Sequence, residues 1–284
     1  MKPARARRVP QSAQATGRAT GKHAAPEFDI GATVTSLSTY LGTVKSIRKQ
    51  WEAHWPEGPS DIWFRGHKDA SWPLVPSLYR LLGDSGEIPD EEDWRAGFYL
   101  NSPMYTSGHA SPPANDWDRY CLMQHYGMPT RLLDWSESAL VAFYFAIATA
   151  TADSDAAVWV LDPYGLNKVL SPLLSDELVF PFDELAGKYL PKLYEGKALP
   201  RPPVALYPVR ASRRLLAQRG TFTVHGSDRK SLDQYRKLKG FLVRIRIGGS
   251  AIDSLKDELY QAGITEAMLF PELDHLCREL TERF

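Results

Sequence analysis

Cysteine is scarce in this chain. Cys121 and Cys277 are the two present among 284 residues, and neither stands in a CxxC or comparable metal-binding spacing. A chain of this length has no need of a disulfide framework, so the expectation is a reducing, cytoplasmic compartment. Long apolar runs are lacking too. The best one, Ala139 to Ala150, holds 12 residues, too few for a bilayer, and reads as a core helix. Nothing before Ala25 resembles the apolar stretch of a secretory leader, and no membrane partner is expected. Acidic side chains are absent from the first 26 positions, where six basic ones occur: Lys2, Arg5, Arg7, Arg8, Arg18 and Lys22. With those six removed, 28 Lys and Arg face 34 Asp and Glu, although the whole chain is formally neutral. A mildly acidic body argues against bulk phosphate neutralisation as the main binding mode and leaves room for a local basic patch. There is no Gly-rich P-loop, GxGxxG, GxSxG or HExxH. The seven histidines are scattered, so a metal site would have to be assembled by tertiary structure, and none is expected.

What is present is ample core material: 43% hydrophobic residues, 11% aromatic, eight of them Trp. Residues 1–26 lack aromatics and periodic apolar positions, cannot offset chain entropy by burial, and are expected to be a disordered basic tail. An arm for nucleic acid or a transit segment is the alternative for so Arg-rich a start. One ordered domain is expected from 27 to 284. Leu37, Leu41, Val44 and Ile47 have helical spacing behind Ser36. Residues 61–65 read as a strand, 83–118 as a loop with one helical segment, and Asp116 to Gly127 as a helix stopped by Pro129. Arg131 to Trp135 is a short strand, and Ser136 is expected to cap the Ala-rich helix that follows. Strands are predicted at 156–161, 221–224, 241–247 and 266–270, with helices from Ser250 and from Leu273. The Pro-rich stretch around 171–208 looks like an excursion from the main sheet.

Two segments carry chemistry. Arg65 lies in an aromatic strand and is followed by Gly66. A glycine there lets a ligand approach the backbone, and the guanidinium offers a planar fork to phosphate. The competing reading is a half-exposed arginine paired with one of many carboxylates. Gln124 to Ser136 strings together His125, Tyr126, Arg131, Asp134 and Trp135 with turn residues and only two plainly aliphatic positions, Leu132 and Leu133. A core segment rarely carries so many polar and titratable groups, so it reads as a ligand-facing helix end, turn and strand. Taken singly, His125 also fits a satisfied helix-end histidine, and Asp134 with Arg131 a structural ion pair. Arg210, Arg213, Arg214 and Arg219 gather around Gln218 and Gly220 as a candidate anion site or a solvated helix face. Glu266 alone reads more readily as structural.

The strings Ile62-Trp-Phe-Arg-Gly-His and Trp72-Pro-Leu-Val-Pro-Ser-Leu-Tyr-Arg resemble the opening signature of FRG domains, named for Phe-Arg-Gly. Gln124-His-Tyr-Gly-Met-Pro-Thr-Arg-Leu-Leu-Asp-Trp-Ser is similar to that family's second block. Gln218-Arg-Gly-Thr-Phe is similar to the third, and Leu269-Phe-Pro-Glu-Leu-Asp to the last. A superfamily-level resemblance adds a mechanism. ADP-ribosyltransferases open on a strand bearing Phe-Arg-Gly or Tyr-Arg-Gly, continue with a strand ending in Ser or Thr before an Ala- and aromatic-rich helix, and close on a strand-edge catalytic Glu. Arg65, Ser136 and Glu266 match those positions. No Glu-x-Glu or Gln-x-Glu pair precedes Glu266, which weakens arginine as the acceptor.

That resemblance implies an α+β fold with a split, mixed or antiparallel sheet of ADP-ribosyltransferase type and flanking helices. It implies NAD as co-substrate and a macromolecular acceptor, nucleic acid or protein. Arg65 would hold the ribose–pyrophosphate, Ser136 the nicotinamide ribose, and Glu266 would stabilise an oxocarbenium-like centre. Gly66, His125, Tyr126, Arg131, Asp134, Trp135 and Gln218 would line the dinucleotide site, with Tyr126 or Trp135 stacking on its rings. The first rival reading is a non-catalytic module that binds a nucleotide or nucleic acid through Arg65, His125 and the 210–219 cluster. The second is a metal-dependent hydrolase or nuclease using His125, Asp134 and Glu266.

Overall fold

The computed structural model describes residues 33–54, 61–81, 91–106, 113–171, 174, 177–190, 199–210 and 212–283. The predicted tail, 1–26, lies outside them, as do parts of the 171–208 stretch. In chain order the elements are α1 Leu37–His54, β1 Trp63–His67, α2 Ser77–Arg80, α3 Glu91–Thr106, α4 Asp116–His125, β2 Leu132–Ser136 and α5 Ala139–Ile147. They continue with β3 Ala156–Leu161, α6 Pro163–Leu170, α7 Glu184–Gly187, β4 Val204–Leu206, α8 Arg213–Ala217 and β5 Gly220–Val224. The last are β6 Leu242–Ile247, α9 Ile252–Gln261, α10 Glu266–Leu269 and α11 Leu273–Arg283.

The architecture is a mixed α/β one, built on a six-stranded sheet in the order β4-β5-β2-β1-β3-β6. Every neighbouring pair is antiparallel. Strand alternation sends Phe64, Val158, Val160, Val243, Ile245 and Ile247 to one face, where α1, α5 and α9 cover them. Trp63, Leu133, Trp135, Trp159 and Leu161 line the other face, under Leu166 and Leu170 of α6. At the β4-β5-β2 end, Trp117, Tyr120 and Met123 of α4 pack on Leu132, Leu206, Phe222 and Val224.

The sheet has a weak seam at its centre. β1 pairs with β3 along its whole length and β2 pairs with β5 along its whole length, whereas β1 and β2 share one registered pair, Phe64 with Ser136. Beyond that pair the two strands diverge, and Arg65 bridges the gap.

Two local expectations fail. Ser136 is the last residue of β2, so Ser138 caps α5, accepting from the Val141 amide at 3.4 Å. Ser136 Oγ instead accepts from the Ser138 amide at 3.0 Å. The expected strand at 266–270 is a single helical turn. Thr265 Oγ1 accepts from the Met268 amide at 3.3 Å, an N-cap ahead of the helix-forming run Glu-Ala-Met-Leu, and Pro271 follows. That run lacks the β-branched residues that favour a strand over a turn of helix.

Candidate functional site

The densest chemistry lies at the seam. Arg65 Nη1 donates to the Asp134 carbonyl oxygen at 2.6 Å and stands 3.8 Å from an Asp134 carboxylate oxygen. Its Nε donates to His67 Nε2 at 3.1 Å. Nη2 makes no hydrogen bond to a described residue. The Arg65 side chain is 16% exposed, while that of Asp134 is 58% exposed. Burial lowers the guanidinium to about 10, Asp134 works against that, and nearby Arg80 adds to it. It is still charged at neutral pH, and a buried cation with an open donor favours an anion.

The walls fix this geometry. Gln124, in the last turn of α4, donates from Nε2 to the Asp134 carboxylate at 2.9 Å. Its amide oxygen accepts from Thr130 Oγ1. His67 is sealed, and burial together with Arg65 pushes it down to about 3, so it is neutral and accepts the Arg65 Nε–H. Arg80, exposed at the end of α2, is close enough to act electrostatically on both Arg65 and His67. Trp72, ring to ring with His67 at 6.2 Å, is also exposed. His67 and Arg80 had no role in the sequence reading, although both lie within the strings quoted from the opening signature.

Gly66 has a different reason to be glycine than ligand approach. A methyl group built there would lie 2.1 Å from the Ala142 carbonyl oxygen and 2.4 Å from the Ala146 amide nitrogen. The close approach is taken by α5, whose packing on β1 requires it.

Arg131 is fully buried and tied on every side. It donates to Glu91 Oε2 at 2.6 Å, to the His225 carbonyl at 2.8 Å and to the Tyr189 carbonyl. Tyr120 accepts from the Arg131 amide at 2.9 Å and donates to Glu91. Burial would lower the guanidinium, but Tyr120 and Glu91 more than offset it and hold it above its ordinary value. Arg131 pairs with Glu91, not with Asp134. It fastens α3 and the end of β5 to β2, and offers nothing to a ligand.

Of the remaining expected residues none bonds to Arg65, although Ser136 pairs with Phe64 across the seam. Trp135 is buried, donating from Nε1 to Thr223 Oγ1 at 3.1 Å, which removes it as a stacking platform. Ser136 Oγ donates to the Gln218 carbonyl at 2.7 Å, and Gln218 Nε2 donates to the Leu269 carbonyl at 3.1 Å. These bonds join β2 to the α8 and α10 turns. His125 is partly buried and lowered by burial first, then by Arg214. Tyr126 is largely exposed beside it, rings edge to face at 4.9 Å. Glu266 Oε1 contacts His275 Nδ1 and Arg278 Nη1, each at 2.6 Å, and lies on the α10 turn. The basic cluster is partly neutralised. Arg210 and Arg219 both engage Glu137, and Arg214 lies over the Phe270 ring at 4.5 Å.

The matched part of the chain coincides with this geometry. Residues 60–155 match the FRG domain. That span contains Arg65, His67, Arg80, Gln124 and Asp134, all the residues of the seam, and the Arg131 knot that braces it. The blocks at Gln218 and Leu269, and Glu266 with them, lie beyond the FRG match. No curated protein and no solved structure matches the chain. Among the described residues no group of three or more His, Cys, Asp and Glu could hold a metal ion. No helix among them is long and apolar enough to cross a membrane.

Proposed function

We propose that the seam binds a pyrophosphate-bearing nucleotide, NAD first among them, and that the chain works as an NAD-dependent ADP-ribosyltransferase-like protein. Its acceptor would be macromolecular, nucleic acid or protein. The observation that carries the reading is Arg65. It is a charged, largely buried guanidinium, fixed by two hydrogen bonds, with Nη2 left open beside a second arginine. Phosphate oxygens satisfy such a fork through charge-assisted hydrogen bonds, and Arg80 adds charge without being buried.

The same place supplies a carboxylate. Asp134 is exposed, oriented by Gln124, and next to Arg65. Breaking the nicotinamide–ribose bond leaves the bonding pair on nicotinamide and positive charge on the ribose, which a neighbouring carboxylate stabilises. The acceptor's nucleophile then forms the new bond at that carbon and gives up its proton to the carboxylate or to solvent. In this reading Asp134, rather than Glu266, bears the charge, because Glu266 is engaged by His275 and Arg278 on a helical turn. That engagement of Glu266 also favours a second reading, a module that binds the nucleotide without turnover.

Calorimetric titration with NAD and ADP-ribose, paired with mass-spectrometric detection of nicotinamide, tests both. The proposal expects binding of both ligands and nicotinamide release. Asp134→Asn should lower release by roughly 10²–10³, with little loss of affinity. Binding without release in the presence of candidate acceptors selects the module. Absence of binding to either ligand ends the proposal, and a rate lost in Glu266→Gln but kept in Asp134→Asn returns the charge to Glu266.

A further inference from the structure

Trp72 is the one exposed tryptophan among the described residues, at 41%, and it stands beside the seam. A single exposed aromatic needs no explanation in itself. What singles this one out is its mounting. The Trp72 amide donates to the Asp69 carbonyl at 3.2 Å, and Asp69 Oδ1 accepts from the Ser71 amide at 2.8 Å and from Ser71 Oγ at 2.6 Å. Ala70, within this turn, donates to the Asp155 carbonyl at 2.8 Å and accepts from Arg244 Nη1 at 2.9 Å. Pro73 follows and narrows the backbone choices of Trp72 itself. The indole is carried on a tied-down turn, so little ordering entropy is lost when a flat group settles on it. His67 meets the ring at 6.2 Å with a 59° tilt, an abutment rather than a parallel stack, and the exposed Lys68 reaches 5.5 Å from its centre.

We propose, resting on the nucleotide reading above, that Trp72 is the platform for the ligand's adenine and sets which way round NAD lies. The order of donors on the Arg65 fork gives the direction. In a planar guanidinium Nη2 lies between Nε and Nη1. Nε is bonded to His67, against which Trp72 stands, and Nη1 is bonded to the Asp134 carbonyl. A phosphate taken by Nη2 therefore has the indole on one side and the Asp134 carboxylate on the other. The reacting ribose belongs beside the carboxylate, which leaves the adenosine half for the indole. One imidazole separates that indole from the guanidinium, as one ribose separates a base from its phosphate. Lys68 by the ring and Arg80 near His67, both exposed, add positive charge for the phosphates. Stacking on an indole reads ring area rather than a base edge, so a purine is favoured over a pyrimidine and adenine is not told from guanine.

Calorimetric titration of AMP and of nicotinamide mononucleotide into the full chain separates the two ends of the site. Trp72→Ala should weaken AMP about 5- to 100-fold and leave nicotinamide mononucleotide within about twofold, with an unchanged melting curve. Trp72→Tyr keeps a flat ring and should recover most of the AMP affinity. GMP should bind like AMP, and CMP more weakly. Equal AMP affinity in wild type and Trp72→Ala, or a wild type that binds no AMP, would overturn the inference. So would a loss shared by nicotinamide mononucleotide or confined to it, since the orientation would then be wrong. Nicotinamide release from NAD is a separate readout. AMP held through Trp72 with no release leaves the platform standing and sinks the transferase reading, whereas release with AMP binding that ignores Trp72 does the reverse.

Discussion

Two arginines, one from each block of the FRG match, show how alike sequences take opposite roles. Arg131 is closed: Glu91, two backbone carbonyls and the Tyr120 phenol consume the donors and charge around it. Arg65, on the strand across the seam, spends Nε on His67 and Nη1 on the Asp134 carbonyl, and makes no further hydrogen bond to a described residue. Both are held by burial and backbone acceptors. What separates them is the carboxylate partner. Glu91 meets Arg131 at 2.6 Å with its side chain 10% exposed, while Asp134 stands 3.8 Å from Arg65 and faces solvent. A sealed pair is architecture. A pair left ajar, with a free donor, can take a third group.

Breaking the closed arginine should have the largest effect. Arg131→Met strands Glu91 in a buried site and is expected to cost about 3–5 kcal/mol in urea denaturation. A loss below about 1 kcal/mol would mean that the knot is not structural. Gly66→Ala comes next, because its methyl meets backbone of α5, which moves only with the whole helix. The expected loss is about 3 kcal/mol, read from the same denaturation.

The neutral histidines behind the two arginines give a pH test. Burial holds His67 and His225 at about 3 when folded, below the ordinary value of 6.5. The unfolded chain therefore binds more protons between those limits. Their contribution is whole above pH 6.5 and is lost as pH falls toward 3, at up to about 1.4 kcal/mol per pH unit for each. Asp162, raised by burial to about 6, acts in the opposite sense between its ordinary value and pH 6. The check is thus by difference: His225→Phe should flatten the acid slope of stability relative to wild type. Glu266→Gln, which breaks only a partly exposed cluster, should cost under about 1 kcal/mol.

Much of the frame was legible from the chain. Aromatic and β-branched runs marked the strands at Trp63, Ala156 and Leu242, and Gly127 with Pro129 marked the end of α4. Arg65 and Asp134 were singled out together, and they meet. What was not legible was partnership across long separations. Nothing local tells that Arg131 will meet Glu91, 40 residues earlier, rather than Asp134, three residues away. The resemblance makes Trp135 a stacking surface, yet strand alternation turns it into the core. The segment from Glu266 to Phe270 reads as a strand in the chain, and a threonine cap ahead of the four helix formers Glu-Ala-Met-Leu decides otherwise.

The central claim is that the open arginine binds a ligand. Calorimetry of ADP-ribose against wild type and Arg65→Lys measures it directly, with melting curves of both. Lysine keeps the charge and loses the planar fork, so affinity should fall by about 10- to 100-fold, equivalent to about 1–3 kcal/mol, while stability barely changes. Equal affinity in the two proteins would contradict the account and leave Arg65 as a second structural arginine.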